Sequence, residues 1–295
     1  MFNFLKYRKV YYAVSIILIL ASLVSLVLFR LKFGIDFSGG TLMEVEFKEN
    51  RITNEEVSGR LADLGLQDLS LQQTGEKGLL LRMKNIDEGI HQQILAKFEG
   101  AIEEKSFESV GPIVGKELQQ KTWVFTVLVS LAITLFIAFA FRKSSYPVSS
   151  WRYGIIAAVV AFFHDILIPL GVFSLLGKYL NVTITIPIIV GVLTILGYSV
   201  HNSIVVFDRV RENLSRTKWT SFEEVVNKSL NQTIVRSINT SLSTLIVLAA
   251  MFFFGGETLR YFVLILILGI TTGTYSSVFI ASSLLVDWVK KVKKR

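Results

Sequence analysis

Six long apolar runs dominate the chain, at roughly residues 10–30, 121–141, 153–176, 183–207, 237–254 and 259–286. Each is close to the ~20 residues that an α-helix needs to cross a hydrocarbon core. Lipid offers no hydrogen-bond partner, so a lipid-embedded segment must bond its backbone internally, as a helix does. The reading is an α-helical membrane protein with six transmembrane helices. Composition agrees: 52% of the 295 residues are hydrophobic and mean hydropathy is +0.54, more apolar than a soluble domain of this size. The first run follows Lys6, Arg8 and Lys9 as a signal peptide would. No small-residue cleavage site comes after it, so it reads as an uncleaved span.

The net charge is +8, which taken alone suggests a nucleic-acid partner. The basic residues sit beside the apolar runs, however, so membrane topology explains them and no nucleic acid is expected. With the N-terminus inside, the inner loops hold Lys6, Arg8, Lys9, Arg142, Lys143, Arg152, Arg209, Arg211, Arg216, Lys218, Lys228, Arg236 and the tail Lys290–Arg295. The short outer loops carry only Lys178, with Arg260 at a span edge. Both termini are therefore expected in the cytoplasm. The basic tail suits anionic membrane lipid.

The stretch between the first two runs is a long polar insertion, expected outside. Leu42–Phe47 alternates like a strand, and Thr53 with Glu56 makes a capping box for a helix over 54–64. Residues 68–73 and 78–83 suit two strands around a turn at 74–77, 87–100 a second helix, and 106–110 a last strand. That order predicts a small α+β, ferredoxin-like external domain. The chain thus divides into 1–30, 31–120, a five-helix membrane domain 121–286 with a polar cytoplasmic segment 208–236, and the tail 287–295. Within 208–236, Phe222, Val225, Val226 and Leu230 share one helical face, which predicts an interfacial helix.

Chemistry is sought where polar groups occupy expensive positions. Asp165 is the only acidic residue deep in a span, with His164 beside it. An ionised carboxylate there costs roughly 2.5–3.5 kcal/mol on the insertion scale, so it is a proton-coupling candidate or one half of a helix–helix lock. His201 and Asn202 lie in the fourth span, and His201 can titrate. Arg236 opens the fifth, as a counter-charge or as a snorkelling anchor. Gly269 and Gly273 form a small-xxx-small pair for close helix packing. Pro169 and Pro187 can kink the third and fourth spans. There is no cysteine, and the three histidines form no HExxH pair, so no metal is expected. P-loop, GxSxG and GxGxxG patterns are absent, so neither a cofactor nor an enzyme is expected.

Several motifs carry a resemblance. They are Phe33-Gly-Ile-Asp-Phe-Ser-Gly-Gly-Thr-Leu42, Ser109–Leu118, Gly197–Asn213, Arg236-Ser-Ile-Asn-Thr-Ser241, Phe254–Glu257 and Gly273–Ser277, in this order along the whole chain. Together they resemble the SecD/SecF family, of the resistance-nodulation-division class. Gly39 and Gly40 would supply tight or positive-φ backbone, and Asp36 would bond nearby amides. The resemblance implies an inner-membrane protein in which SecD and SecF chains form a complex beside the SecYEG channel, drawing a translocating polypeptide outward with the proton gradient. It also implies a counter-charge role for Arg236 and an aspartate in the proton path where this chain has Asn202, which cannot titrate. A second reading follows, a structural subunit with the proton chemistry on SecD. A small-molecule exporter of the same superfamily fits less well, because such pumps usually carry twelve spans.

Overall fold

A computed structural model describes residues 1–49, 51–140, 150–216 and 221–293. Arg142, Lys143, Lys218, Lys294 and Arg295 of the inner basic set lie outside the described residues. The chain forms two compact units, one of Met1–Lys32 with Phe125–Arg295 and one of Phe33–Val124. Among the described residues, six helical stretches are long and apolar enough to cross a membrane: Phe4–Phe29, Pro112–Phe136, Phe163–Leu180, Ile186–Ser215, Phe222–Phe254 and Leu259–Lys291. The chain is a multi-pass membrane protein.

The first span is α1 (Arg8–Phe29), whose buried residues are Ser15, Ser22 and Ser25. Its large apolar side chains, such as Ile16, Ile17, Leu20 and Val27, are exposed. In lipid such side chains gain nothing by leaving their surroundings, so small residues make the seam instead.

The inserted unit opens on a single turn, α2 (Ile35–Ser38), and then β1 (Gly40–Phe47). Helix α3 (Asn54–Leu61) follows, with Thr53 and Glu56 closing the capping box. Then come β2 (Ser70–Thr74), β3 (Gly78–Met83), α4 (Glu88–Ala96) and β4 (Ile102–Val110). The sheet runs β2-β3-β1-β4 and every neighbouring pair is antiparallel. Met43, Val45 and Phe47 alternate inward on β1, as Leu79, Leu81 and Met83 do on β3. Val57 and Leu61 of α3 and Ile94 and Phe98 at α4 cover them in one core. The last strand is longer than its expected 106–110, because Ile102 joins that core and β1 supplies partners along its whole length.

The unit's two ends cross at the glycines. Gly39 has φ +72° and Gly40 φ +136°, values that residues with a Cβ adopt at a cost. A Cβ on Gly39 would lie 2.9 Å from the Pro112 Cα, and one on Gly40 would lie 2.8 Å from the Met83 carbonyl oxygen. Just past β4, a Cβ on Gly115 would lie 2.9 Å from the Gly39 nitrogen.

Beyond the crossing runs α5 (Pro112–Ala140), which begins well before the apolar run at 121. The third span is α6 (Ser150–Val160), a π-helical turn (Ala161–Ile166) and α7 (Leu167–Leu180). Helices α8 (Ile186–Arg216) and α9 (Phe222–Phe254) follow. The last span is α10 (Glu257–Tyr275), a second π-helical turn (Ser276–Ala281) and α11 (Ser282–Lys293).

Two expectations are corrected here. Among the described residues of 208–236 there is no separate interfacial helix. Ser221 caps α9 by accepting from the Glu224 amide, and Val225, Val226 and Leu230 are buried against Leu5, Val206, Val210, Val278 and Val286. The apolar face was real, but protein covers it instead of lipid. Pro187 produces no kink, since it falls in the first turn of α8, where its missing N–H has no intrahelical partner to lose. Pro169 lies just beyond the first π turn, which is where the third span becomes irregular.

Candidate functional site

The first π turn carries the two central residues. Side chains of adjacent residues on an α-helix point about 100° apart. A π turn is wider, so each residue advances by a smaller angle and two neighbours can face the same interior. His164 is 2% exposed and Asp165 0%, with His164 Nδ1 at 2.8 Å from Asp165 Oδ1. On its other oxygen, Oδ2, Asp165 accepts from the Ser199 hydroxyl of α8 and from the Ser276 hydroxyl of the second π turn at 2.8 Å. His164 Nε2 lies 3.1 Å from Ser15 Oγ on α1, and the imidazole stacks on Tyr275 at 5.8 Å between centroids. Four spans therefore converge on one buried carboxylate. Among the described residues no lysine or arginine pairs with it.

A serine layer backs this hub. Ser277 donates to the Ser199 carbonyl at 2.9 Å and Ser203 to the Ser277 hydroxyl at 3.1 Å. The expected glycine pair lies where α10 meets α8. A Cβ on Gly269 would lie 2.1 Å from Ile195 Cδ1. A Cβ on Gly273 would lie 3.2 Å from Ser199 Cβ and 3.6 Å from Asp165 Oδ2. On α1, Ser25 donates to the Gly171 carbonyl at 3.0 Å and sits 2.5 Å from the Ser174 hydroxyl.

The remaining candidates are placed differently. His201 is exposed, while Asn202, next to it on regular α-helix, is buried. The Asn202 amide nitrogen has no hydrogen-bond partner among the described residues. Arg236 is exposed on α9, as are Asn239, Thr240 and Ser243. Asp36 sits in the first turn of α2. Near the C-terminal end of α8, the Asp208–Asn213 segment carries internal ion pairs, Arg211 with Asp208 at 2.7 Å and Arg209 with Glu212 at 2.5 Å. No group of three His, Cys, Asp or Glu residues suited to a metal exists among the described residues.

Sequence reasoning singled out His164 and Asp165 but missed Ser15, Ser199 and Ser276 as their partners. A signal for Ser15 existed in α1, whose serines at 15, 22 and 25 fall on one side of an otherwise apolar helix.

Six candidate spans with a cluster of polar side chains buried among them, and a small α+β unit inserted after the first, define a polytopic membrane protein. Comparison with known proteins narrows that class. The family described as "Protein export membrane protein SecD/SecF, C-terminal" matches residues 90–291, and the "SecD/SecF GG Motif" matches residues 24–50. A protein translocase subunit SecF from Thermobaculum terrenum is 42% identical over 99% of this chain and 95% of its own length. One from Pseudomonas aeruginosa is 34% identical over 96% and 90%. A crystal structure of SecDF from Thermus thermophilus, described as a translocon-associated membrane protein, superposes with a TM-score of 0.84 at 32% identity. All of this chain is covered there, but only 39% of the SecDF chain. A second SecDF structure, in a super-membrane-facing form, gives a TM-score of 0.68. This chain belongs to the SecD/SecF family of protein-export membrane proteins.

Proposed function

We propose that the chain is the smaller half of a two-part Sec export unit, paired with a SecD-type partner beside a SecYEG channel. It helps draw a translocating polypeptide across the bacterial inner membrane at the expense of the proton gradient. The observation that carries the pairing is coverage: this chain accounts for 39% of a SecDF chain of the same fold. The exposed polar face of Arg236, Asn239, Thr240 and Ser243 on α9, with His201 on α8, supports it. Such groups are expensive against lipid, and partner spans or a hydrated cleft would cover them. The positive-inside rule puts both termini in the cytoplasm and the 31–120 unit outside.

In this reading His164 and Asp165 form the proton-linked site of the chain. A carboxylate with an imidazole at 2.8 Å has two places to keep one proton. The test is Asp165→Asn in the assembled complex, which should keep assembly and lose proton-dependent export. Full export in that variant would falsify the proposal.

One observation favours a second reading, in which this half is mainly structural and SecD carries the proton chemistry. Both oxygens of Asp165 are occupied and it is 0% exposed, and an amide, Asn202, stands where the family resemblance implies an aspartate. Asn202→Asp separates the two. A gain of proton-dependent export in Asn202→Asp, with none lost in Asp165→Asn, would favour the structural reading.

A further inference from the structure

His164 has two ring nitrogens and a contact at each. Nδ1 meets Asp165 at 2.8 Å, and Nε2 meets Ser15 on α1 at 3.1 Å. A neutral imidazole has one N–H. With that hydrogen on Nδ1, facing the carboxylate, Nε2 is an acceptor and the Ser15 hydroxyl donates to it. An imidazolium has N–H on both nitrogens. Nε2 then donates, Ser15 Oγ accepts, and the serine hydrogen must turn to another acceptor. The protonation state of the pair therefore sets the direction of one hydrogen bond on the first span.

The surroundings leave few competing charges. From α10, Tyr275 stacks on the imidazole and borders Ser15, and its hydroxyl donates to the Tyr11 carbonyl of α1 at 3.1 Å. Tyr153 of α6 packs on Phe207 instead, and Tyr198 of α8 donates to Ser241. Arg8 and Tyr12 of α1 turn to Glu223 and Asp287. The serines of α8 and the second π turn face Asp165 but do not titrate.

We propose that Ser15 is a positioning residue for the His164–Asp165 pair, through which the first span senses the protonation state of that pair. This rests on the proton-linked reading of Asp165. Ser15 is the buried serine of α1 that meets an ionisable group. Ser25 meets the Gly171 carbonyl and Ser174, and Ser22 lies against Gly171. The first span is also the one that continues in sequence into the inserted unit, which is where a signal from the pair must go to affect an emerging chain.

The test uses the full chain with its partner, reconstituted in vesicles. Proton-driven export is measured against pH, together with the carboxyl infrared band of Asp165, assigned by its loss in Asp165→Asn. A hydrogen bond to a charged group is stronger than one to a neutral group. Ser15→Ala should therefore disfavour the imidazolium and move the midpoint of the profile down by about 0.5–1 pH unit, with a shift of the band. Ser15→Thr should restore both. Ser22→Ala, which removes a hydroxyl from the same seam, should move neither. An unshifted midpoint and band in Ser15→Ala, or an equal shift in Ser22→Ala, overturns the inference. Proton-driven export that survives Asp165→Asn is a different failure, one that removes the proton-linked reading itself.

Discussion

Two adjacent pairs in the spans begin with histidine, and the backbone treats them oppositely. His164 and Asp165 ride a π turn, point into the same interior and bond to each other. His201 and Asn202 ride regular α-helix, one exposed and one buried. Sequence spacing is identical in the two cases. What differs is the angle between consecutive residues, which a single inserted residue in the helix changes. The buried pair is closed by partners from three other spans, whereas the Asn202 amide nitrogen has none among the described residues.

The most disruptive way to break this contrast is to remove the π turn. Deleting Ala161 should return the third span to α-helical spacing and splay His164 and Asp165 as His201 and Asn202 are splayed. The chain has no cysteine, so a Ser15→Cys, His164→Cys pair reports the geometry without background. Cross-linking by a short bifunctional thiol reagent, which spans the length the imidazole occupied, should be efficient in the double-cysteine chain and lost in the deletion. Next in size, Asp165→Leu leaves His164 and two serine hydroxyls without their acceptor. By analogy with breaking a buried pair, it should destabilise the membrane unit by roughly 3–5 kcal/mol, measured as unfolding in mixed micelles. The sign should reverse at the other pair. Asn202→Leu removes an unpartnered buried amide and should be neutral or stabilising by about 1–2 kcal/mol in the same assay. The smallest effect is expected of His201→Phe on the exposed side, within roughly 0.5 kcal/mol. An effect of several kcal/mol there would mean that His201 has a structural role its exposure does not reveal.

How much could be read beforehand follows the same divide between local and non-local causes. The six spans, the Thr53–Glu56 capping box and the turn between β2 and β3 depend on nearby residues, and each was legible. Asp165 stood out because an acidic side chain is so rare at that depth. Its partners did not, because which serine meets it depends on how four helices are rotated about their axes, and the π turns alter that rotation. The Phe222–Leu230 face was misread for a related reason. An apolar stripe looks the same in sequence whether lipid or another helix covers it, and here Leu5, Val206 and Val286 do so. The early start of α5 was hidden as well, since Pro112–Gln120 is helical without being apolar.

The glycine crossing has a mechanical consequence. Gly40 pairs with Val110, and the segments that enter and leave the unit touch backbone to backbone at Gly39, Pro112 and Gly115. The inserted unit is therefore a loop with its mouth drawn shut, like a purse held at the neck. A tug on its body converges on one knot of backbone before it can peel β1 from β4. Enlarging any of the three glycines would force that neck open.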